Sequence, residues 1–450
     1  MKKFEQFSST IRVSALLIFS IAATIIYYFI WNGFYNLKVF EHPYVGSGKL
    51  FIIAVYFIIL IVSGVFLGAA KIDKLRKGEI IFNCTVALVF TDCIAYSQVC
   101  LIASRLVNIM GMVYILFFQA AFLLLWVYAS FSIVHSLNPP EKMLIIFGSH
   151  QATELVYKMS KIEERFVISE SVSVDEGYDE IIKKVDKFES IIICDVPARL
   201  RNDILKYCYD SGKNIYVVPK ISDILLRSAS DVTYFDSPLL NCKSNALTIE
   251  QRFFKRLFDI VFSLVALIIF SPLFAVIAIG IKCHDGGPVF YKQKRCTLNL
   301  KEFDILKFRS MVIDAEKDGP QPAVKNDKRI TPVGKLIRDT RLDELPQLIN
   351  ILKGDMSVVG PRPERIEHVS KYCAQIPEFV FRYKVKGGLT GYAQVFGKYN
   401  TKPYDKLKMD LIYIQNYSVA LDIKLIIMTV RILFSKESTE GFKEKTKGKK

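Results

Sequence analysis

The chain has 450 residues, of which 51 % are hydrophobic and 23 % are charged, and this length predicts about three domains. A mean hydropathy of +0.28 excludes a disordered or wholly solvated protein and indicates membrane segments combined with soluble parts. The formal net charge of +16 predicts an anionic partner, either lipid head groups, nucleic acid or a phosphorylated substrate. The nine cysteines form no C-x-x-C pair, which argues against a disulfide framework and a zinc site.

Four long apolar runs open the chain, and each approaches the roughly 20 residues that cross a bilayer as a helix. They occupy approximately residues 13–31, 50–70, 80–104 and 112–134. Lysine and arginine are most frequent before the first run and between the second and third, so both ends of the block are predicted to be cytoplasmic. We therefore predict a four-helix transmembrane block over residues 1–138. Asp92 within it is either a functional intramembrane acid or a side chain that faces the bundle interior.

Short apolar segments alternate with helical patterns over residues 139–240. Strands are predicted at residues 143–147, 166–168, 191–194 and 215–218, and helices at residues 151–160, 197–210 and 221–226. The alternation predicts an α/β domain with a parallel sheet. A dinucleotide-binding fingerprint needs three glycines after the first strand, and Gly148 alone is present, so we interpret the domain as a degenerate Rossmann-like unit. Residues 231–247 are predicted to be irregular, with a linker over residues 241–251.

A fifth apolar segment, residues 257–281, has basic residues at both ends and Ser271-Pro272 in its centre. Proline removes a backbone donor and kinks or breaks a helix, and a serine can bond the carbonyl that is freed. Cationic flanks on both sides favour a re-entrant helix over residues 255–282 that returns to the cytoplasmic face. The alternative is an ordinary kinked helix that spans the membrane.

Adjacent carboxylates, Asp343 and Glu344, lie beside Arg338 and Arg341. Pro346 favours the first turn of a helix, which would place both carboxylates at a helix N-terminus. The pair suits a divalent cation, and Mg²⁺ is expected because hard cations prefer oxygen ligands that substrate phosphates complete. A simple N-cap role for Asp343 is the structural alternative.

Two further motifs are suited to binding a phosphate group. Prolines on either side hold Arg362 on a rigid turn, and its planar guanidinium matches phosphate in a bidentate manner. The glycine-rich residues 386–391 offer backbone N–H groups that can cradle phosphate or a nucleoside. Residues 405–413 and 422–434 are predicted amphipathic helices, which either lie on the membrane or pack on the soluble core.

Together, in this order, the motifs resemble the bacterial sugar transferase family, the monotopic phosphoglycosyl transferases that act on polyprenyl phosphate. The resemblance extends from about Phe254 to Phe434 and rests on KRLFDI, SPLF, DGGPVFY, KFRSM, LDELPQ, GDMSVVGPRP and GLTGYAQ. The preceding four-helix block and α/β domain resemble the long form of the family. The expected organisation is a catalytic domain over residues 252–436, with the re-entrant helix inside it, and a basic tail over residues 437–450.

The resemblance implies that Asp343 attacks the β-phosphate of a UDP-sugar, expels UMP and forms an aspartyl-phosphosugar, while Asp343 and Glu344 hold Mg²⁺. Undecaprenyl phosphate then attacks, which yields undecaprenyl-diphosphate-sugar as the first membrane step of capsule, exopolysaccharide or O-antigen synthesis. The residues expected to bind substrate phosphates are Lys307, Arg309, Arg338, Arg341 and Arg362. The implied location is the bacterial inner membrane, with the catalytic domain on the cytoplasmic face and in contact with lipid, and a homodimer is compatible with this organisation.

Some residues depart from the family pattern. Cys296 and Asn299 stand where glycines are usual, and Gly387 stands where a proline is common, which bears on loop conformation and sugar preference. Two other functions are alternatives to sugar-phosphate transfer. A membrane-anchored nucleotide-sugar epimerase or dehydratase would need an intact glycine fingerprint, and a non-catalytic scaffold would not need the Asp343–Glu344 pair. A nucleic-acid partner is not expected, because the basic residues flank membrane segments and no reader motif is present.

Overall fold

The computed structural model describes residues 2–73, 75–137, 140–148, 151–160, 166–242, 247–315, 327–398 and 401–433. It divides into two compact units, Met1–Val218 and Pro219–Lys450. The predicted basic tail at residues 437–450 lies outside the described residues.

Long apolar helices open the first unit. They are α1 (Lys2–Trp31), which continues as a π-helical turn to Asn36, α2 (Ser47–Leu67), α3 (Lys77–Ile102) and α4 (Met110–Leu137). With a further helix in the second unit, the described residues contain 5 helices that are long and apolar enough to cross a membrane. Large apolar side chains on their outer faces, such as Phe29 and Leu125, are exposed, as expected for contact with lipid. The protein is therefore membrane-associated.

A polar cluster lies inside the bundle of these helices. The Tyr56 hydroxyl on α2 donates to Asp92 Oδ1 on α3 at 2.7 Å, and Gln119 Nε2 on α4 donates to the same hydroxyl at 2.8 Å. Tyr27 on α1 stacks on Tyr56 with ring centroids 3.9 Å apart. Asp92 is 6 % exposed, so it faces the bundle interior, which is the structural alternative that the sequence left open for this acid.

The rest of the first unit is an α/β domain. Its elements are β1 (Glu141–Phe147), α5 (Gln151–Met159), β2 (Phe166–Ser173), α6 (Tyr178–Val185), β3 (Ser190–Cys194), α7 (Ala198–Asp210) and β4 (Asn214–Val217). The strands form one parallel sheet, as predicted, and their order in it is β2-β1-β3-β4. Helix α6, which buries Ile181 and Val185, was not predicted, because its 8 residues are fewer than the roughly 11 over which helical periodicity is recognised.

Gly148 follows β1 where a dinucleotide-binding loop would begin. A Cβ atom at this position would lie 2.3 Å from the carbonyl oxygen of Asp195, the residue after β3. The glycine is therefore needed for the close approach of two strand ends.

The second unit begins with α8 (Ile221–Arg227) and an antiparallel hairpin of β5 (Ser230–Tyr234) and β6 (Ser237–Asn241). The prediction of an irregular segment from residue 231 was wrong here. Nearly all hairpin residues are exposed, so the two strands have no buried face and lack the alternating apolar pattern by which strands are recognised.

The remaining elements of the second unit surround a buried core. They are α9 (Ile249–Asp285), β7 (Phe290–Cys296), β8 (Glu302–Phe308), α10 (Pro332–Asp339), α11 (Gln347–Lys353), β9 (Ser357–Val359), α12 (Ile366–Gln375), β10 (Gly388–Thr390), α13 (Tyr392–Phe396), α14 (Pro403–Gln415) and α15 (Val419–Leu433). Strands β7 and β8 pair antiparallel, and β9 pairs parallel with β10. Leu411, Tyr413 and Ile414 on α14 are buried in the core, so α14 packs on the soluble fold and not along a membrane surface.

Helix α9 runs through Pro272 without a break, and it is longer than the predicted 255–282. A capping box at Thr248 and Gln251 begins it. Pro272 cannot bond the carbonyl of Ile268, four residues earlier, and Ser271 Oγ donates to that carbonyl at 2.8 Å. The serine thus compensates for the bond that the proline removes, as predicted.

The glycine-rich residues 386–391 do not form an open cradle. Residues Gly388–Thr390 are β10, and a Cβ atom at Gly388 would lie 2.1 Å from the backbone nitrogen of Gly360. The glycines here permit a close approach of two backbones.

Candidate active site

Asp343 and Glu344 lie in a 3-10 turn, Leu342–Glu344, which joins α10 to α11. Arg341 precedes the turn with a left-handed φ of +58°, which reverses the chain after α10. Pro346 is the N-cap of α11 and not a residue of its first turn. The prediction that the carboxylates lie at the helix N-terminus therefore needs correction: the tighter 3-10 turn, closed by the bond from Leu345 N to the Leu342 carbonyl, separates them from α11.

Two cations contact one oxygen of Glu344. Lys307 Nζ on β8 lies 2.7 Å from Glu344 Oε1, and Arg362 Nη2, in the turn after β9, lies 2.9 Å from the same atom. Burial alone would raise the pKa of Glu344, but Arg362 and Lys307 outweigh it and hold the pKa well below its usual range. Glu344 is thus ionised near neutral pH. Arg362 itself is 40 % exposed, so its guanidinium remains accessible.

Asp343 has a different environment. Among the residues that the structure describes, none donates a hydrogen bond to its carboxylate. Burial raises its pKa; Lys307, Arg338 and Arg341 oppose this increase, while the negative charge of Glu344 adds to it. A carboxylate that accepts no hydrogen bond from the described residues, is partly desolvated and has cations around it has the properties of a nucleophile directed at an anionic phosphate.

The other predicted phosphate ligands are not all associated with this pair. Arg338 is in the last turn of α10 and Arg341 follows it, so both act on Asp343 through their charge. Arg309 is 7 % exposed and pairs with Asp285, the last residue of α9. Sequence reasoning identified Arg309 but missed this partner, whose only signal was its position before Gly286-Gly287. Ser271 and Pro272 lie in the middle of α9.

The Asp343–Glu344 pair fits a Mg²⁺ ion that would take its remaining ligands from substrate and water. The described part of the chain contains no group of three or more His, Cys, Asp or Glu side chains that could hold a metal ion. Within the described residues, the protein ligands of such an ion would be these two carboxylates. Mg²⁺ sites often use one or two carboxylates, with substrate phosphates and water completing the octahedron. The pair suits an ion that binds together with a diphosphate.

Polar contacts tie α9 to the segment that follows this pair. Arg256 donates to the carbonyls of Ile351 and Leu352 at 2.6 and 2.7 Å, which caps the end of α11. Asp259 accepts from Ser357 Oγ and from Val358 N, both at 2.9 Å. These contacts were not predicted. Their one sign in the sequence was an acidic residue, Asp259, within an apolar segment.

A known family of proteins is similar to part of this second unit. The model of the family described as bacterial sugar transferase matches residues 250–436. A UDP-glucose:undecaprenyl-phosphate glucose-1-phosphate transferase of Caulobacter vibrioides is 39 % identical over 191 residues, which are 41 % of this chain and 71 % of the relative. The chain belongs to the bacterial sugar transferase family. The site residues lie within the matched region, and the first unit lies outside it.

Other relatives in the family match over a smaller share of their length. A Klebsiella pneumoniae protein with the same name is 43 % identical over 204 residues, which are 44 % of this chain and 42 % of the relative. A UDP-N-acetylgalactosamine-undecaprenyl-phosphate N-acetylgalactosaminephosphotransferase of Aeromonas hydrophila is 41 % identical over 186 residues, which are 41 % of this chain and 44 % of the relative. The match thus spans less than half the length of these two relatives.

Proposed function

We propose that this protein transfers a sugar-1-phosphate from a UDP-sugar to undecaprenyl phosphate and releases UMP, as the first membrane step of a bacterial polysaccharide pathway. The observation that carries the proposal is the contrast between two adjacent carboxylates: Glu344 is held by Lys307 and Arg362, whereas none of the described residues donates a hydrogen bond to Asp343. Both lie in the family region, and relatives there are named for UDP-sugar donors and an undecaprenyl-phosphate acceptor.

The proposed reaction has two displacements at one phosphorus atom. In the first, a carboxylate oxygen of Asp343 bonds to the β-phosphorus, the bond to the bridging oxygen breaks, and UMP leaves with that oxygen. In the second, a phosphate oxygen of undecaprenyl phosphate bonds to the same phosphorus and the bond to Asp343 breaks. The carboxylate is restored and the product is undecaprenyl-diphosphate-sugar.

The chain's own cations stabilise the charge that each displacement moves. Lys307 and Arg362 can transfer their hydrogen bonds from Glu344 to phosphate oxygens, and Arg338 and Arg341 keep the field around Asp343 positive. Mg²⁺ bound to Asp343 and Glu344 would neutralise the diphosphate and the departing UMP.

We also propose that α9 is re-entrant, because both of its halves pack on the same compact unit. Near its start, Asp259 bonds to β9. Near its end, Ile277 and Ile281 pack against Phe308 and Ile337. In a straight helix, Asp259 and Ile277 would be about 27 Å apart along the axis, close to the ~30 Å thickness of the hydrocarbon core. A spanning helix would carry them to opposite sides, whereas a re-entrant helix keeps both at the face where the soluble fold lies.

The re-entrant topology predicts that Cys242 and Cys283, which lie before α9 and near its end, face the same side of the membrane. Both are exposed cysteines. A membrane-impermeant maleimide, applied to inside-out or right-side-out vesicles and followed by mass spectrometry, is expected to label both in inside-out vesicles and neither in the other kind. Buried Cys208 is the control that should stay unlabelled in both. Labelling of the two exposed thiols from opposite sides would show a spanning helix.

The reaction is tested with the purified protein, Mg²⁺, undecaprenyl phosphate and a panel of UDP-hexoses and UDP-N-acetylhexosamines. We expect UMP release with one donor class, dependent on Mg²⁺, with the sugar diphosphate recovered on the lipid. A panel in which no donor releases UMP would reject the proposed function.

The pH profile of this reaction should report on Asp343. Since burial raises its pKa and the ionised form attacks, kcat/KM is expected to increase with pH through an acid limb above the ordinary aspartate pKa of about 3.9. Arg338 lowers that pKa, so Arg338→Gln should move the midpoint of the limb to higher pH. The measurement is UMP formation across pH at low donor concentration. An unchanged midpoint in the variant would separate the limb from Asp343.

A further inference from the structure

Arg382 is one of the largest fully buried side chains among the described residues, and no sequence motif drew attention to it. It lies in the 3-10 segment Pro377–Lys384 and is 1 % exposed. Its guanidinium stacks over Phe379, 4.9 Å from the ring centroid. A buried cation needs a compensating charge, and Asp410 on α14, also 1 % exposed, provides it with Oδ2 at 2.8 Å from Arg382 Nη2. Glu364, which is 15 % exposed, adds a longer ion pair, with Oε1 at 3.7 Å from Arg382 Nη1.

The same nitrogen reaches the backbone of the candidate site. Arg382 Nη2 donates to the carbonyl oxygen of Arg362 at 3.0 Å. Arg295 donates from Nη1 to the next carbonyl, that of Pro363, at 3.1 Å. Two arginines from different elements therefore hold consecutive carbonyls of one turn. The side chain of Arg362 in this turn contacts Glu344.

Holding this carbonyl restricts a backbone angle that the prolines leave soft. The proline rings limit φ at residues 361 and 363, and Pro363 also disfavours the helical region for Arg362. The ψ angle of Arg362 can still vary within the extended region, and rotation about it turns the carbonyl that Arg382 binds. An ångström of displacement at a charged substrate ligand can reduce turnover by about two orders of magnitude.

We propose that Arg382 is a positioning residue which, with Asp410 as its counter-charge, fixes the Arg362 turn so that the guanidinium meets the diphosphate. This inference rests on the proposed function, in which Arg362 binds a substrate phosphate. It differs from a purely structural role, in which the buried pair would only join the 3-10 segment to α14. The two roles predict different coupling between Arg382 and Arg362.

The experiment uses the 450-residue chain with Arg382 and Asp410 replaced together, as R382M/D410L. Replacing a buried ion pair by apolar side chains is often neutral for stability, whereas R382M alone would leave Asp410 buried and without its cation. Glu364 is 15 % exposed, so water can solvate its carboxylate when Arg382 is replaced. The double variant is expected to keep its melting temperature, bind UMP about ten-fold more weakly and show a raised KM for the UDP-sugar. K213M is the matched control: Lys213 holds the carbonyls of Val185, Asp186 and Phe188 in the first unit, and its loss should leave UMP affinity unchanged.

The decisive measurement repeats the double replacement in an R362Q background. If Arg382 acts through Arg362, the further loss of UMP affinity should be less than two-fold, because the positioned group is already gone. A full ten-fold further loss would overturn the inference and assign Arg382 a structural role. UMP binding needs no turnover, so a wild-type protein that binds UMP but converts no donor would reject the proposed function alone. A wild type that binds no UMP would reject both.

Discussion

Replacing Asp343 by Asn is expected to reduce UMP release by about 10³-fold or more, the scale that loss of a covalent nucleophile produces. The amide keeps the shape of the side chain but is not a nucleophile toward phosphorus. Since no described residue donates to the Asp343 carboxylate, the substitution breaks no hydrogen bond in the described structure and should leave the fold intact. UMP release and the melting temperature of the purified variant are the measurements.

The wild-type protein provides the complementary observation. Incubation with a radiolabelled UDP-sugar in the absence of undecaprenyl phosphate should leave label on the protein, on the peptide that contains Asp343. Asp304→Asn, an exposed acid on the neighbouring β8, is the control and should release UMP at the wild-type rate. Full activity of the Asp343 variant, or label on another peptide, would reject the covalent mechanism.

Local patterns were sufficient to predict much of this fold. The parallel α/β sheet followed from short apolar strands that alternate with helical segments, and buried strands such as β3, which is apolar at Ile191, Ile192 and Ile193, are the strongest of these signals. The compensation of Pro272 by Ser271 also followed from local chemistry, because a proline frees a carbonyl at a known position.

Contacts between distant segments explain what could not be predicted. Glu344 meets Lys307, 37 residues away, and Arg362, 18 residues away, and no local pattern encodes that meeting. The same applies to Arg309, which was expected to bind a substrate phosphate and whose pairing with Asp285 could not be predicted. The type of residue at the site was thus readable from motifs, whereas its pairing depends on the tertiary fold.

The pairing of Glu344 leads to a prediction in which binding and turnover change in opposite directions. Glu344 Oε1 accepts from both Lys307 and Arg362, so a phosphate without a metal ion must displace a carboxylate to reach them. Glu344→Gln removes that negative charge and keeps the side-chain size. We expect UMP in the absence of Mg²⁺ to bind about ten-fold more tightly, which corresponds to about 1.4 kcal/mol, because charge repulsion is lost and both cations are released.

Turnover by the same variant should decrease by about two orders of magnitude, the effect of removing one electrostatic group from a site that stabilises transferring charge. The Mg²⁺ concentration that gives half-maximal turnover should be higher in this variant, because one of the two carboxylates that suit the ion is gone. Isothermal titration with UMP, with and without Mg²⁺, and initial rates of UMP release measure the two effects separately.

Glu302→Gln, which removes an exposed partner of Lys294 on the β7–β8 hairpin, is the control and should change neither UMP affinity nor turnover by more than two-fold. Weaker metal-free UMP binding by the Glu344 variant would mean that Glu344 orders the two cations for the phosphate and does not compete with it.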